Sequence, residues 1–214
     1  MTEIEIIEKH LEEWTVCRAK DLTQILNCSA STVTRIISKN VLSFKKLGWL
    51  LGKDKDNLPG EWITTQTLFL RIASEGGVET SNGYKIQRHY LYVAAAYAWI
   101  REALGEGVNF HSERYLRKEL GWFCKSSKSP RSTFFTYVPD FLLNFKERTW
   151  RVEVQISRVL NNYFDEMEGL CHDQHPILLV VLPGKCANYE GKIHSDRIKL
   201  LEIGDTKTLL NFFK

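Results

Sequence analysis

The run YVPDFLLNFKERTWRVEVQIS, Tyr137 to Ser157, constrains the fold more than any other part of the chain. Two strand-like segments, YVPDFLLNF and WRVEVQI, flank the polar turn KERT, so the run reads as a hairpin. Its polar residues are the anomaly. Asp140 follows Pro139 inside the first apolar segment, while Glu153 and Gln155 stand two apart in the second and therefore share one face of a strand. Acidic side chains are seldom buried unless something pairs with them. Three oxygen-bearing side chains on a surface that should be packed call for a partner.

The rest of the chain limits what that partner can be. With 214 residues, 43% apolar and 12% aromatic, it can bury a substantial core in one large domain or two small ones. The longest apolar stretch, YLYVAAAYAWI (Tyr90 to Ile100), is too short to span a bilayer, and TEIEIIEKH after Met1 has no basic-then-apolar signal pattern. No membrane partner is expected, and the location reads as cytoplasmic. The cysteines, at 17, 28, 124, 171 and 186, are odd in number and scattered without a CxxC pair, which fits reduced thiols. CHDQH (Cys171 to His175) lacks a second cluster at zinc-ligand spacing and reads as a solvated helix end before Pro176.

A net charge of +3 becomes informative once it is divided by position. From Ala30 to Lys53 stand Arg35, Lys39, Lys45, Lys46 and Lys53 with no acid; from Arg114 to Arg131 stand Arg114, Arg117, Lys118, Lys125, Lys128 and Arg131 with the single acid Glu119. Two such stretches in a nearly neutral chain point to two places that meet a polyanion.

The first stretch coincides with a helical pattern. Apolar residues at 4, 7, 11 and 14 predict one helix, and Leu22, Ile25 and Leu26 a second. NCSAS supplies a turn in which Ser29 or Ser31 can cap a third helix, STVTRIISKNVL, with Val33, Ile36 and Ile37 buried. FKKLGWLLGKDKDNLPGEWITT then reads as strand, polar turn and short strand. Residues 1–80 thus resemble a winged helix-turn-helix. Its recognition helix would offer Thr32, Thr34, Arg35 and Lys39 to DNA, with Lys45 and Lys46 of the wing on phosphates. The alternative is a small helical bundle used for protein contacts.

ITTQTLFLRIASEGG is expected to end that domain and GGVETSNGY to be a loop. Residues 81–214 then begin with a helix, QRHYLYVAAAYAWIREAL, with Val93, Ala94, Tyr97, Ile100 and Leu104 at core spacing; His89 reads as a capping or packing residue. A strand-to-helix piece carrying Glu113 follows, then the hairpin, the helix VLNNYFDEMEGL, and strands PILLVVL and RIKLLEI. This order, with an acid on a helix, an acid after proline on one strand and an acid-x-residue on the next, resembles the PD-(D/E)xK nucleases, an α/β domain with a mixed sheet. More narrowly, HYLYVAAAYAWI, HSERYLR, VPDFLL and RVEVQIS in succession resemble the replication-relaxation proteins of plasmids and mobile elements, which join a winged helix to a nuclease-like domain. The expected fold class is α+β.

The resemblance implies a site and a reaction. Asp140 and Glu153 would bind Mg2+ or Mn2+, relieving their mutual repulsion, with Glu113 completing the site and Gln155 aiming its amide at the scissile phosphate. Such a metal supports phosphodiester hydrolysis. Arg114, Arg117, Lys118, Lys125, Lys128 and Arg131 would position the DNA. The departure is Gln155, where the superfamily usually has lysine; a neutral amide lacks that charge, which Arg151 or Arg158 could replace. Two functions follow: a metal-dependent endodeoxyribonuclease, or a non-catalytic DNA-binding regulator or replication accessory factor with a degenerate site, in which Glu153 pairs with Arg151 or Lys146 on an exposed face. DNA is the implied partner, with a second copy of the chain and mobile-element replication or transfer proteins as further candidates.

Overall fold

The computed structural model describes residues 1–39, 45–46, 70–71, 78–79, 85–86, 88–122, 137–157, 162–171 and 173–214. Its N-terminal helices follow from capping and spacing. Helix α1, Glu3–Trp14, opens with a capping box in which the Thr2 hydroxyl accepts from the Glu5 amide at 3.3 Å and the Glu5 carboxylate accepts from the Thr2 amide at 2.7 Å. Helix α2, Ala19–Ile25, closes through Asn27, whose φ of 47° is left-handed. The Cys28 amide donates to the Thr23 carbonyl at 3.0 Å and the Asn27 amide to the Gln24 carbonyl at 3.3 Å, the two bonds of a Schellman closure. Ser29 then caps helix α3, Ala30–Lys39, accepting the Thr32 amide at 3.3 Å. Ile7, Leu11, Leu22, Val33, Ile36 and Ile37 form one core, as their spacing predicts.

Two buried features of these helices carry no periodic signal. Arg18 and Asp21 are almost fully enclosed and joined by a 2.7 Å ion pair reinforced by three further hydrogen bonds. His10 is buried, its ring 5.8 Å from that of Tyr97, which stacks on Trp14 at 3.8 Å.

Beyond α3, strand β1, Lys45–Lys46, pairs antiparallel with β2, Leu70–Arg71, a segment expected only to end the domain. The short second strand expected near Ile63 lies outside the described residues. Val78–Glu79 (β3) pairs antiparallel with Lys85–Ile86 (β4), so GGVETSNGY, expected as a loop, carries one side of a hairpin. The same turn-rich composition serves a loop or a hairpin, and cross-strand pairing decides between them. Helix α4, Arg88–Leu104, is buried on every side from Leu91 to Ile100 rather than along one stripe; Leu104 is only half-buried. The chain divides within this helix into two compact units, Met1–Ala98 and Trp99–Lys214. The boundary expected near residue 80 lies outside the described residues.

The second unit is built on a mixed sheet, giving the chain an α+β fold. Its strands are β5, Asn109–Ser112; β6, Phe141–Phe145; β7, Arg148–Gln155; β8, Ile177–Val181; and β9, Ile198–Glu202, adjacent in that order. The first three are antiparallel and the last three parallel. Lys146 and Glu147 alone make the β6–β7 turn, both with positive φ (49° and 62°), so Arg148 and Thr149 belong to the strand rather than to the expected turn. β8 is buried throughout, as its unbroken apolar run requires.

Alternation sorts the sheet into two faces. Leu142 lies opposite Arg151 and Ile177 beside it, so Arg151, Glu153 and Gln155 share a face with Ile177, Leu179 and Val181. Helices α5 (Glu113–Glu119) and α6 (Tyr163–Gly169) cover that face through Leu116 and through Phe164 and Met167. On the other face Trp150 packs against Phe213 at the end of helix α7, Thr206–Phe212, an element the sequence did not suggest.

Candidate functional site

Strand register gathers the three acids. Ser112 pairs with Phe141 and Phe141 with Val152. One step further, the Glu113 amide donates to the Asp140 carbonyl at 2.8 Å and the Val154 amide to the Asp140 carboxylate at 2.7 Å. Glu113, just after β5, Asp140, just before β6, and Glu153, within β7, therefore come side by side. Glu113 is the first residue of α5, where the Ser112 hydroxyl accepts the Tyr115 amide at 3.2 Å and fixes the turn from strand to helix. Asp140 precedes β6 rather than lying within it, and its side chain takes over the ladder by binding the Val154 amide.

Burial makes this row costly. Asp140, Glu153 and Gln155 are 8%, 7% and 8% exposed, and Glu113 is half-buried. Glu153 Oε1 accepts the Tyr137 hydroxyl at 2.6 Å, and Tyr137 in turn meets the Tyr163 hydroxyl at 3.1 Å. Among the described residues, Glu153 Oε2 and Trp150 Nε1 are the buried side-chain polar atoms with no hydrogen-bond partner. Burial first, then the Asp140 charge, push the Glu153 carboxyl well above the ordinary glutamate value, and Glu113 adds to it; the Tyr137 hydroxyl and the Asp140 backbone pull the other way and lose. Burial and the neighbouring Glu153 likewise hold the Tyr137 hydroxyl protonated. An enclosed carboxylate oxygen without a donor can be satisfied by a proton or by a cation.

The other side chains on this face are committed. Gln155 shares the face of Glu153 as its spacing predicts, but its amide nitrogen donates to the Ser157 carbonyl at 2.9 Å and to the Ser157 hydroxyl at 3.1 Å. The Ser157 carbonyl also accepts the Tyr189 hydroxyl at 2.9 Å. Arg151, 1% exposed, is held by Asp173 at 3.0 and 3.1 Å through Nε and donates to the Tyr137 carbonyl, so it does not pair with Glu153. Asp173 also binds Arg197, and although burial pushes its carboxyl up, the Arg151 hydrogen bonds and charge bring it below the ordinary aspartate value. Lys146 donates to the Phe213 carbonyl at 3.1 Å, so the expected Glu153 pairing with Arg151 or Lys146 on an exposed face gives way to burial against Tyr137. Arg158 lies outside the described residues.

The basic residues distribute unevenly. On α3, Thr34, Arg35 and Lys39 are exposed and Thr32 is half-buried, opposite Val33, Ile36 and Ile37. The Thr34 hydroxyl donates to the Ala30 carbonyl at 2.9 Å and Thr32 sits in the Ser29 cap at 3.0 Å, which leaves Arg35 and Lys39 as the outward cations of this face. Lys45 and Lys46 form β1. Arg114 and Lys118 are exposed on α5, but Arg117 is tied to Glu113 by a 2.7 Å ion pair. The Arg117 charge thus serves the acidic row. Lys125, Lys128 and Arg131 lie outside the described residues.

Tyr137, Tyr163, Ser157 and Arg151 complete the site, and sequence reasoning assigned only Arg151 a role there. Tyr137 is three residues before Asp140 and its partner Tyr163 is on another element, so no strand or helix period links them. Among the described residues, no three His, Cys, Asp or Glu side chains form a group able to hold a metal by themselves. Comparison of the chain with family models, with curated proteins and with solved structures finds no match in any of the three.

Proposed function

We propose that this chain binds DNA through an N-terminal winged helix-turn-helix and cleaves it with a C-terminal domain of the PD-(D/E)xK type, acting as a divalent-metal-dependent endodeoxyribonuclease. The observation that carries this reading is Glu153, a buried carboxylate with one orphaned oxygen, repelled by Asp140 at the entry to β6 and by Glu113 at the start of α5. That donor set fits Mg2+ or Mn2+. Such ions use one or two carboxylates and complete their shell with water and phosphate oxygens, so a three-residue cage is not required. When bound, the ion would neutralise charge on the phosphate and acidify a water molecule. Glu153 and Asp140 would hold it, and Glu113, steadied by Arg117, would accept from a water at the rim. Arg35 and Lys39, exposed on α3, would meet phosphates while the helix lies in the major groove.

The resemblance to replication-relaxation proteins suggests a plasmid or mobile element as the setting, and the sequence pattern near Met1 leads us to propose the cytoplasm as the location. Among the described residues no helix is long and apolar enough to cross a membrane. One observation favours the second reading, a DNA-binding regulator or replication accessory factor with a degenerate site: the Gln155 amide, which stands where lysine would, is held by Ser157. Incubation of supercoiled plasmid with the protein and Mg2+, Mn2+ or EDTA separates the two. Nicked or linear product that EDTA abolishes supports the nuclease; binding without product supports the accessory factor.

A further inference from the structure

Tyr137 is fixed from three directions. Its amide donates to the Leu170 carbonyl at 3.1 Å, its carbonyl accepts from the buried Arg151 guanidinium, and its hydroxyl stands between Glu153 Oε1 at 2.6 Å and the Tyr163 hydroxyl at 3.1 Å. Arg151 is itself immobilised, clamped by Asp173 and lying 5.1 Å over the Trp122 ring. Because the Tyr137 proton goes to Glu153, Tyr163 must donate to Tyr137, which gives the chain of hydroxyls one direction, from Tyr163 through Tyr137 to Glu153. A hydrogen bond at one oxygen biases the carboxylate torsion, so the other oxygen has a preferred place. That other oxygen, Oε2, is the buried atom without a donor.

We propose that Tyr137 is the positioning residue of the candidate cation site: by occupying Glu153 Oε1 it reserves Oε2 for a divalent cation and prevents the carboxylate from turning away. This rests on the cation reading of Glu153 and Asp140 given above. A strand holds the backbone of Glu153, and the hydroxyl is the side-chain donor that orients its two oxygens, beside the Asp140 backbone. Tyr163 supports Tyr137 in turn, at one remove from Glu153. Outer partners of this kind typically change metal affinity about 10–100-fold when removed.

The test is a titration of the full chain with Mn2+, followed by loss of the free-ion electron paramagnetic resonance signal, which reads binding directly when each variant is folded. Tyr137→Phe keeps the ring and removes the hydroxyl; the dissociation constant for Mn2+ is expected to rise about tenfold or more. Tyr163→Phe leaves Glu153 its donor and should raise it less. If the unaltered protein binds Mn2+ and Tyr137→Phe binds it within about twofold, the positioning role is overturned while the cation site stands. If the unaltered protein binds no Mn2+, both the positioning role and the cation reading fall. Should Tyr137→Phe not fold, Tyr163→Phe decides: removing the support of Tyr137 is expected to raise the dissociation constant, and an unchanged value overturns the positioning role.

Discussion

Glu153 concentrates the energetics of the site in one carboxyl group. Its folded-state pKa is raised, by burial first and by Asp140 next, so between the unfolded and folded values the native protein binds more protons than the unfolded chain. Its stabilising contribution is therefore complete below the ordinary glutamate range and is lost as pH rises through the folded value. Glu153→Gln keeps the neutral form at every pH. Without added metal, this variant is predicted to be more stable than the unaltered protein at pH 8, with the gap closing toward pH 4; each kcal/mol gained corresponds to about 2–4 °C in Tm. Thermal unfolding in EDTA at pH 4, 6 and 8 checks it, and a gap that widens toward acid contradicts the assignment. At this scale strand alternation made the shared face of Glu153 and Gln155 legible, whereas Pro139 and Asp140, expected inside the first strand, precede it. Tyr137, Tyr163 and Ser157 were not legible, because hydrogen bonds between different elements have no period. Nor could the sequence say that Ser157 would hold the Gln155 amide.

Single elements show where local chemistry and tertiary pairing compete. The β6–β7 turn uses Lys146 and Glu147 in left-handed conformation, where glycine or asparagine is at ease. The KERT composition announced a turn but not its two-residue form, which register across the sheet imposes. Glu147 is exposed, so Glu147→Gly is predicted to relieve a left-handed cost of about 1–2 kcal/mol, partly offset by about 0.4–1 kcal/mol of unfolded-state entropy. A rise in Tm of about 2 °C is expected; a fall in differential scanning calorimetry would show that the side chain contributes more than its backbone costs. Helix α7 escaped notice because TKTLLNF is only two turns long, too short for a spacing argument. Helix α3, by contrast, was readable from its apolar stripe as STVTRIISKNVL, with Ser29 or Ser31 as its cap; the structure starts it at Ala30 and caps it with Ser29. Its outward cations lead to a further prediction: replacing Arg35 and Lys39 by alanine weakens DNA binding and lowers the slope of log affinity against log salt by about one for each phosphate that is no longer neutralised. Unchanged affinity and slope in the folded double variant, measured by fluorescence anisotropy between low and moderate salt, would remove α3 from the interface.

Over the whole molecule, one basic stretch falls within each compact unit, Ala30 to Lys53 in the first and Arg114 to Arg131 in the second, although the net charge is only +3. Element order was enough to anticipate an α+β fold, with helices before a hairpin that is followed by helix, strand and strand, while the mixed sheet was expected from the resemblance that this order carries. It could not anticipate that Arg117 would serve Glu113 or that Arg151 would brace Tyr137. These ties decide which charges remain for a ligand: the first is an i,i+4 pair within α5, and the second arises only when the sheet closes. The central claim is that Glu113, Asp140 and Glu153, brought together by the pairing of β5, β6 and β7, form one metal-dependent cutting site. Its most direct test is single-turnover cleavage of supercoiled DNA by the unaltered protein, Asp140→Asn and Glu153→Ala at matched Mn2+ concentration. The account predicts cleavage by the unaltered protein that EDTA abolishes, and rates at least about 100-fold lower in both variants, roughly 2.7 kcal/mol of lost transition-state stabilisation. Three reactions indistinguishable from buffer, or cleavage that survives both substitutions, would contradict it.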